Sequence, residues 1–173
     1  GDASTLGAPD IYGRFAGAQG IFGGGPLGGS DFLLNSFVDF PQGPPAIARG
    51  PDGGFTLAYQ TMTDPVFGLG EGVPVDRFDS NGIPLSNPNP GASWINSAAD
   101  ETNPAIAAFA DGSSVVVFED NEAGSRDLRF RIVDSAGLIG AEFDVAAGAG
   151  EQFAPKVAVL DTGNFVAVYH TGT

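Results

Sequence analysis

Cysteine is absent from this chain of 173 residues, which removes disulfide staples and thiolate metal sites together. Cations are scarce: 7 Lys and Arg stand against 21 Asp and Glu, for a formal charge of −14. That balance repels phosphate, so nucleic acid and anionic membrane surfaces are poor partners. No apolar run approaches the ~18 residues of a membrane-spanning helix, and no sustained 3.6-residue stripe marks a helix of any kind. The most helix-like stretch, Ala146 to Gly150, is interrupted by glycine and has no cap. The start, Gly1-Asp-Ala-Ser-Thr5, has neither the charged nor the apolar region of a secretion signal, so any signal is expected to be removed or to lie elsewhere. His170 is the single histidine. Alone it cannot build a common zinc site, and no Gly-x-Ser-x-Gly elbow offers it a nucleophile. A strand-end surface role is expected for it.

What the chain has in excess is glycine (27) and proline (13), with no three-residue period. Both residues break helices and favour short strands joined by tight turns. A phrase also recurs without a gap at Pro45 to Tyr59, Pro104 to Phe118 and Pro155 to Tyr169, its prolines 59 and 51 residues apart. Each copy reads as a β-hairpin around an Asp-Gly or similar turn, such as Asp52-Gly53 and Asp111-Gly112. The second strand of each is apolar on both faces, as in Val115-Val-Val-Phe118, which predicts a strand covered on both sides by neighbouring sheets. A second motif alternates with it, Ile11 to Gly20, Val75 to Gly82 and Phe130 to Gly137, each followed by a strand with a large aromatic at Phe32, Trp94 or Phe143. Repetition at one structural position makes Trp94 a core residue. Gly20 to Gly29 and Asn87 to Gly91 read as loops between strands, and Asp79 to Gly82 as a structural turn.

These units predict an all-β single domain of three four-stranded antiparallel repeats, at about 11–62, 72–120 and 127–172, arranged like a β-propeller. A three-sided β-prism or trefoil is the alternative. Three blades are too few for a propeller, which usually has about four to eight. The offset phase of the motifs therefore predicts either a homodimer completing a six-bladed ring or a fragment of a longer chain, with Pro155 to Tyr169 pairing with Ile11 to Leu34.

The phrases Ala110-Asp-Gly-Ser-Ser-Val-Val-Val-Phe118 and Asp76-Arg-Phe-Asp-Ser-Asn-Gly82 resemble the tandem repeats of large secreted bacterial proteins of the haemolysin-type, RTX-associated and adhesin-like class. The resemblance covers nearly all of residues 10 to 170. It implies an extracellular, secreted or cell-surface array, often beside calcium-binding repeats, and it brings no catalytic residues. The chain departs from the pattern at Ala16-Gly17 and at Thr162-Gly-Asn164.

Calcium is the expected cofactor if there is one. Glu119, Asp120, Glu122 and Asp127 crowd one loop between strands, and Ca²⁺ takes about six to eight oxygens, although the spacing is not that of an EF-hand. Arg14, Arg77 and Arg131 stand near matching points and are expected either to tie neighbouring units to carboxylates or to fringe a shared ligand site. The functional expectation is a structural or adhesive module whose partner is another copy or a neighbouring repeat. A calcium-assisted carbohydrate-binding, lectin-like module is the alternative, with a glycan as ligand. A glycoside hydrolase-like enzyme stands third, because acidic pairs are plentiful but their separation is a matter of three dimensions. No catalytic residue is nominated.

Overall fold

A computed structural model describes residues 9–16, 31–36, 40–62, 70–85, 94–97, 99–121 and 124–172. The loops at Gly20 to Gly29 and Asn87 to Gly91 lie outside the described residues, as does Glu122. Twelve strands follow one another: β1 (Tyr12–Gly13), β2 (Phe32–Leu33), β3 (Gln42–Arg49), β4 (Phe55–Thr61), β5 (Val73–Phe78), β6 (Trp94–Ile95), β7 (Glu101–Ala108), β8 (Ser114–Asp120), β9 (Asp127–Val133), β10 (Ile139–Ala146), β11 (Glu151–Val159) and β12 (Phe165–Gly172). All pairings are antiparallel, so the all-β expectation holds.

The three repeats of four strands do not form. The strands instead make two four-stranded sheets, β3-β4-β5-β6 and β7-β8-β9-β10, flanked by the two-stranded sheets β1-β2 and β11-β12. The reason is the side on which each hairpin finds its next neighbour. The outer edge of β4 is taken by β5, with Leu57 opposite Asp76 and Ala58 opposite Val75. The outer edge of β8 is taken by β9, with Val117 opposite Phe130. Hairpins β3-β4 and β7-β8 thus each join the strand pair after them rather than the one before. Among the described residues β12 pairs only with β11 and β1 only with β2, and the array is an open stack that does not close into a propeller.

The repeated phrase folds as its composition dictates. Gly53, Gly112 and Gly163 sit in the hairpin turns with φ of 89°, 87° and 79°, a conformation that costs other residues about 1–2 kcal/mol. Asp52 and Asp111 fasten their turns by accepting from the backbone N–H two residues on, Gly54 and Ser113 respectively. The register of β3 with β4, of β7 with β8 and of β11 with β12 shifts at closely matching places, between Gln42 and Pro45, Thr102 and Ala105, and Phe153 and Lys156. Pro45 thus follows a bulge, and Pro104 and Pro155 lie within one, on strands at the sheet's edge, where the missing N–H leaves no ladder bond unmade. Asn103 and Ala154, at that bulge, take φ of 48° and 54°.

Packing is sheet on sheet. Ile11 and Leu34 of the first sheet lie against Leu57, Tyr59 and Phe78 of the second. The opposite face of the second sheet, through Ala48, Ala58, Val73 and Val75, meets Ile106, Val116, Phe118 and Val133 of the third. The third meets the fourth through Phe130 and Phe165, whose rings stand 5.0 Å apart edge to face. Val115, Val116, Val117 and Phe118 are fully buried, at about 1.5–3 kcal/mol each. The continuous apolar run therefore does what its pattern predicts in β8.

Candidate functional site

Strand β8 separates two members of the acidic loop. Glu119 and Asp120 are successive residues of β8, so their side chains point to opposite faces. Glu119 turns toward the fourth sheet, where Oε1 accepts from Ala154 N at 2.7 Å and Oε2 lies 3.7 Å from Arg126. Asp120 turns toward the second sheet, with Oδ2 at 3.3 Å from Arg129 Nε. Asp127 stands opposite Asp120 across the strands and accepts from Gly148 N at 3.4 Å. Among the described residues, no group of three or more Asp, Glu or His side chains is arranged to hold a metal ion.

On the Asp120 face lies a carboxylate that the sequence did not single out. Glu101 has no exposed surface, and neither of its oxygens has a well-formed hydrogen bond. Burial pushes its pKa up to about 7; the nearby Ser97 hydroxyl opposes that rise, and the charges of Asp120 and Glu142 add to it. Glu142 is itself held by two guanidiniums, with Arg129 Nη1 donating at 2.6 Å and Arg131 Nη2 at 2.9 Å. The repeat contained a signal for Glu101: it aligns with Gln42 and Gln152, both buried. Those glutamines donate through Nε2 to the carbonyls of Phe40 and Gly150, two residues earlier, at 2.7 and 2.9 Å. A carboxylate cannot make that bond.

A second polar knot joins the first two sheets. Tyr59 Oη donates to Asp76 Oδ2 at 2.9 Å, and Ser36 Oγ donates to the same carboxylate at 3.0 Å. Burial raises the Asp76 pKa and pushes that of Tyr59 well above the usual tyrosine range, with Asp76 adding to the rise. No imidazole is near enough to activate Ser36: His170, exposed on β12, stacks on Phe153 with ring centroids 5.5 Å apart.

The remaining residues singled out from sequence are mostly architectural. Trp94 is buried, as its repeated position predicts, whereas Phe143 is exposed. Arg14 pairs with Asp31 at 2.6 Å and Arg131 with Glu142, so these arginines tie strands within a sheet rather than units to one another. In the Asp79 turn, Oδ1 accepts from the N–H groups of Asn81 and Ile83, and Asp134 repeats the arrangement with Ala136 and Leu138.

Two shallow grooves run where β3, β7 and β11 come side by side. One, of about 420 Å³, is lined by Pro45, Pro104 and Pro155 with Arg126 and Lys156 at its rim. The other, of about 600 Å³, lies among the hairpin turns near Arg49, Asp111 and Asp161. Neither brings a nucleophile to a base or an acid pair to an enclosed wall. The surfaces that the sequence did not mark are apolar ones. Val166 and Val168 of β12 are 44% and 59% exposed, whereas Val115 and Val117, at the same points of the repeat, are fully buried. No family model, curated protein or solved structure matches this chain.

Proposed function

We propose that the protein is an extracellular structural or adhesive repeat module, working not by catalysis but by joining its open β-surfaces to further sheets of the same kind. The observation that supports this reading is the contrast within one repeated strand. Val115 and Val117 of β8 are covered by the fourth sheet, and Thr56 and Ala58 of β4 by the third; Val166 and Val168 of β12 have no cover. Among the described residues the same strand also pairs on one edge alone, where β4 and β8 each hold a further strand. An uncovered apolar face beside an unpaired edge invites strand addition. The resemblance to secreted repeat arrays and the strongly acidic composition fit this reading, since net charge keeps such a surface soluble until its partner arrives.

Sedimentation equilibrium over a wide concentration range tests it. The expected result is reversible self-association that strengthens with salt, because two chains of charge −14 repel until counter-ions screen them. A strict monomer at every concentration and salt level would refute it.

A further inference from the structure

We infer that the occupant of the β12 edge is the first strand pair, β1-β2, of a second copy of this chain, in a defined register; the inference rests on the module reading above and names its partner. Three independent exposures on one copy match three on the next.

The register follows from the repeat. Ile11, Val73 and Leu128 each stand nine residues before a glycine of the recurring motif, Gly20, Gly82 and Gly137, and all three are buried. Tyr12 opposite Leu33 accordingly reproduces Pro74 opposite Trp94. In the third sheet, Phe118 faces Arg129 and Val117 faces Phe130 across the β8-β9 ladder. Transferred to β12 and a second copy's β1, the same ladder sets Tyr169 opposite Tyr12 and Val168 opposite Gly13.

The faces then agree without adjustment. Along the inner strands, Ile47 is 61% exposed although its equivalent Ile106 is 8% exposed, and Pro45 is exposed although Pro104 and Pro155 are buried. Among the described residues, hairpin β3-β4 therefore lacks in front of it the hairpin that β7-β8 and β11-β12 both have. A second copy's β11-β12 supplies that hairpin, and its uncovered valines meet Ile47. Along the outer strands, Phe143 is 54% exposed on the face of the third sheet that Phe130 shares, beside Phe165. Tyr12 is 61% exposed on the outer face of β1-β2. Set beside β12, the incoming pair lays Tyr12 and Leu33 over Phe143, as β9-β10 is laid over β5-β6 within the chain. One head-to-tail contact thus completes a four-stranded sheet and covers all of these residues. Being heterologous, it generates either a closed ring or a ladder of larger species.

The absence of cysteine makes the test clean. Tyr12→Cys and Tyr169→Cys each alter an exposed side chain, so both variants are expected to fold. Mixed under mild oxidation they should form a disulfide-linked dimer that neither forms alone. Tyr12→Cys with Val166→Cys, whose side chain points to the other face, should give at least tenfold less. Val168→Asp should weaken association more than tenfold while leaving the fluorescence of Trp94 unchanged. Self-association without the Tyr12–Tyr169 link would overturn this pairing and leave the module reading standing. A chain that stays monomeric at every concentration would overturn both.

Discussion

Replacing Glu101 by glutamine should stabilise the protein above neutral pH and have little effect in acid. In the unfolded chain this carboxyl titrates at its ordinary value of 4.5; in the fold it does so at about 7. Between those values the folded state holds a proton that the unfolded state has released, so stability falls as pH rises through that window. The loss is complete above about pH 8. A rise of that size corresponds to about 3 kcal/mol, which solvent screening reduces to about 2 kcal/mol. Glutamine removes the ionisation, and its amide can donate to the carbonyl of Ala99, as Gln42 and Gln152 do two residues back in their own repeats. Urea unfolding followed through Trp94, the single tryptophan, at about pH 5 and about pH 8 reads the difference directly. The expected gain at the higher pH is about 2 kcal/mol, shrinking at the lower. Native and variant proteins losing stability in parallel across that range would refute the assignment, because Glu71 and Asp76, whose pKa values are also raised, titrate alike in both.

Two other substitutions probe the frame. Phe118→Ala, at a fully buried position between the second and third sheets, should cost about 3–5 kcal/mol in denaturant unfolding; a loss below about 1 kcal/mol would mean that the sheets are not packed as described. Gly112→Ala, at φ 87° with the Ser135 side chain 3.4 Å from the added methyl, should cost about 1–2 kcal/mol, and an unchanged midpoint would count against the turn geometry.

The hairpins and their Asp-Gly turns were legible because each depends on residues close in sequence; cover on both faces, expected for the second strand of every copy, holds in β8 and fails in β12, where Val166 and Val168 are exposed. The grouping of strands was not legible. Whether Phe55 to Tyr59 bonds to the pair before it or after it depends on which edge is nearer in space, and the two motifs alternate too evenly for the sequence to show that. The sides on which the acidic residues lie were not legible for a related reason: Glu119 and Asp120, successive along β8, point to opposite faces, whereas Glu101, distant in sequence, lies on the Asp120 side. Gln42, Glu101 and Gln152 were visible as an aligned set, but only burial shows that glutamate at that position is at odds with its surroundings.

By itself the sequence determined an all-β chain, the repeat, the turns and the residues able to form a core, because local backbone preference and apolar pattern dictate them. Tertiary structure alone decided which of those residues are covered. Val117 and Val168 hold one place in the repeat, as do Trp94 and Phe143 in the reading of the aromatic strand, yet the first of each pair is buried and the second exposed. Burial belongs to the neighbouring sheet rather than to the residue, and among the described residues β11-β12 has a neighbour on only one side.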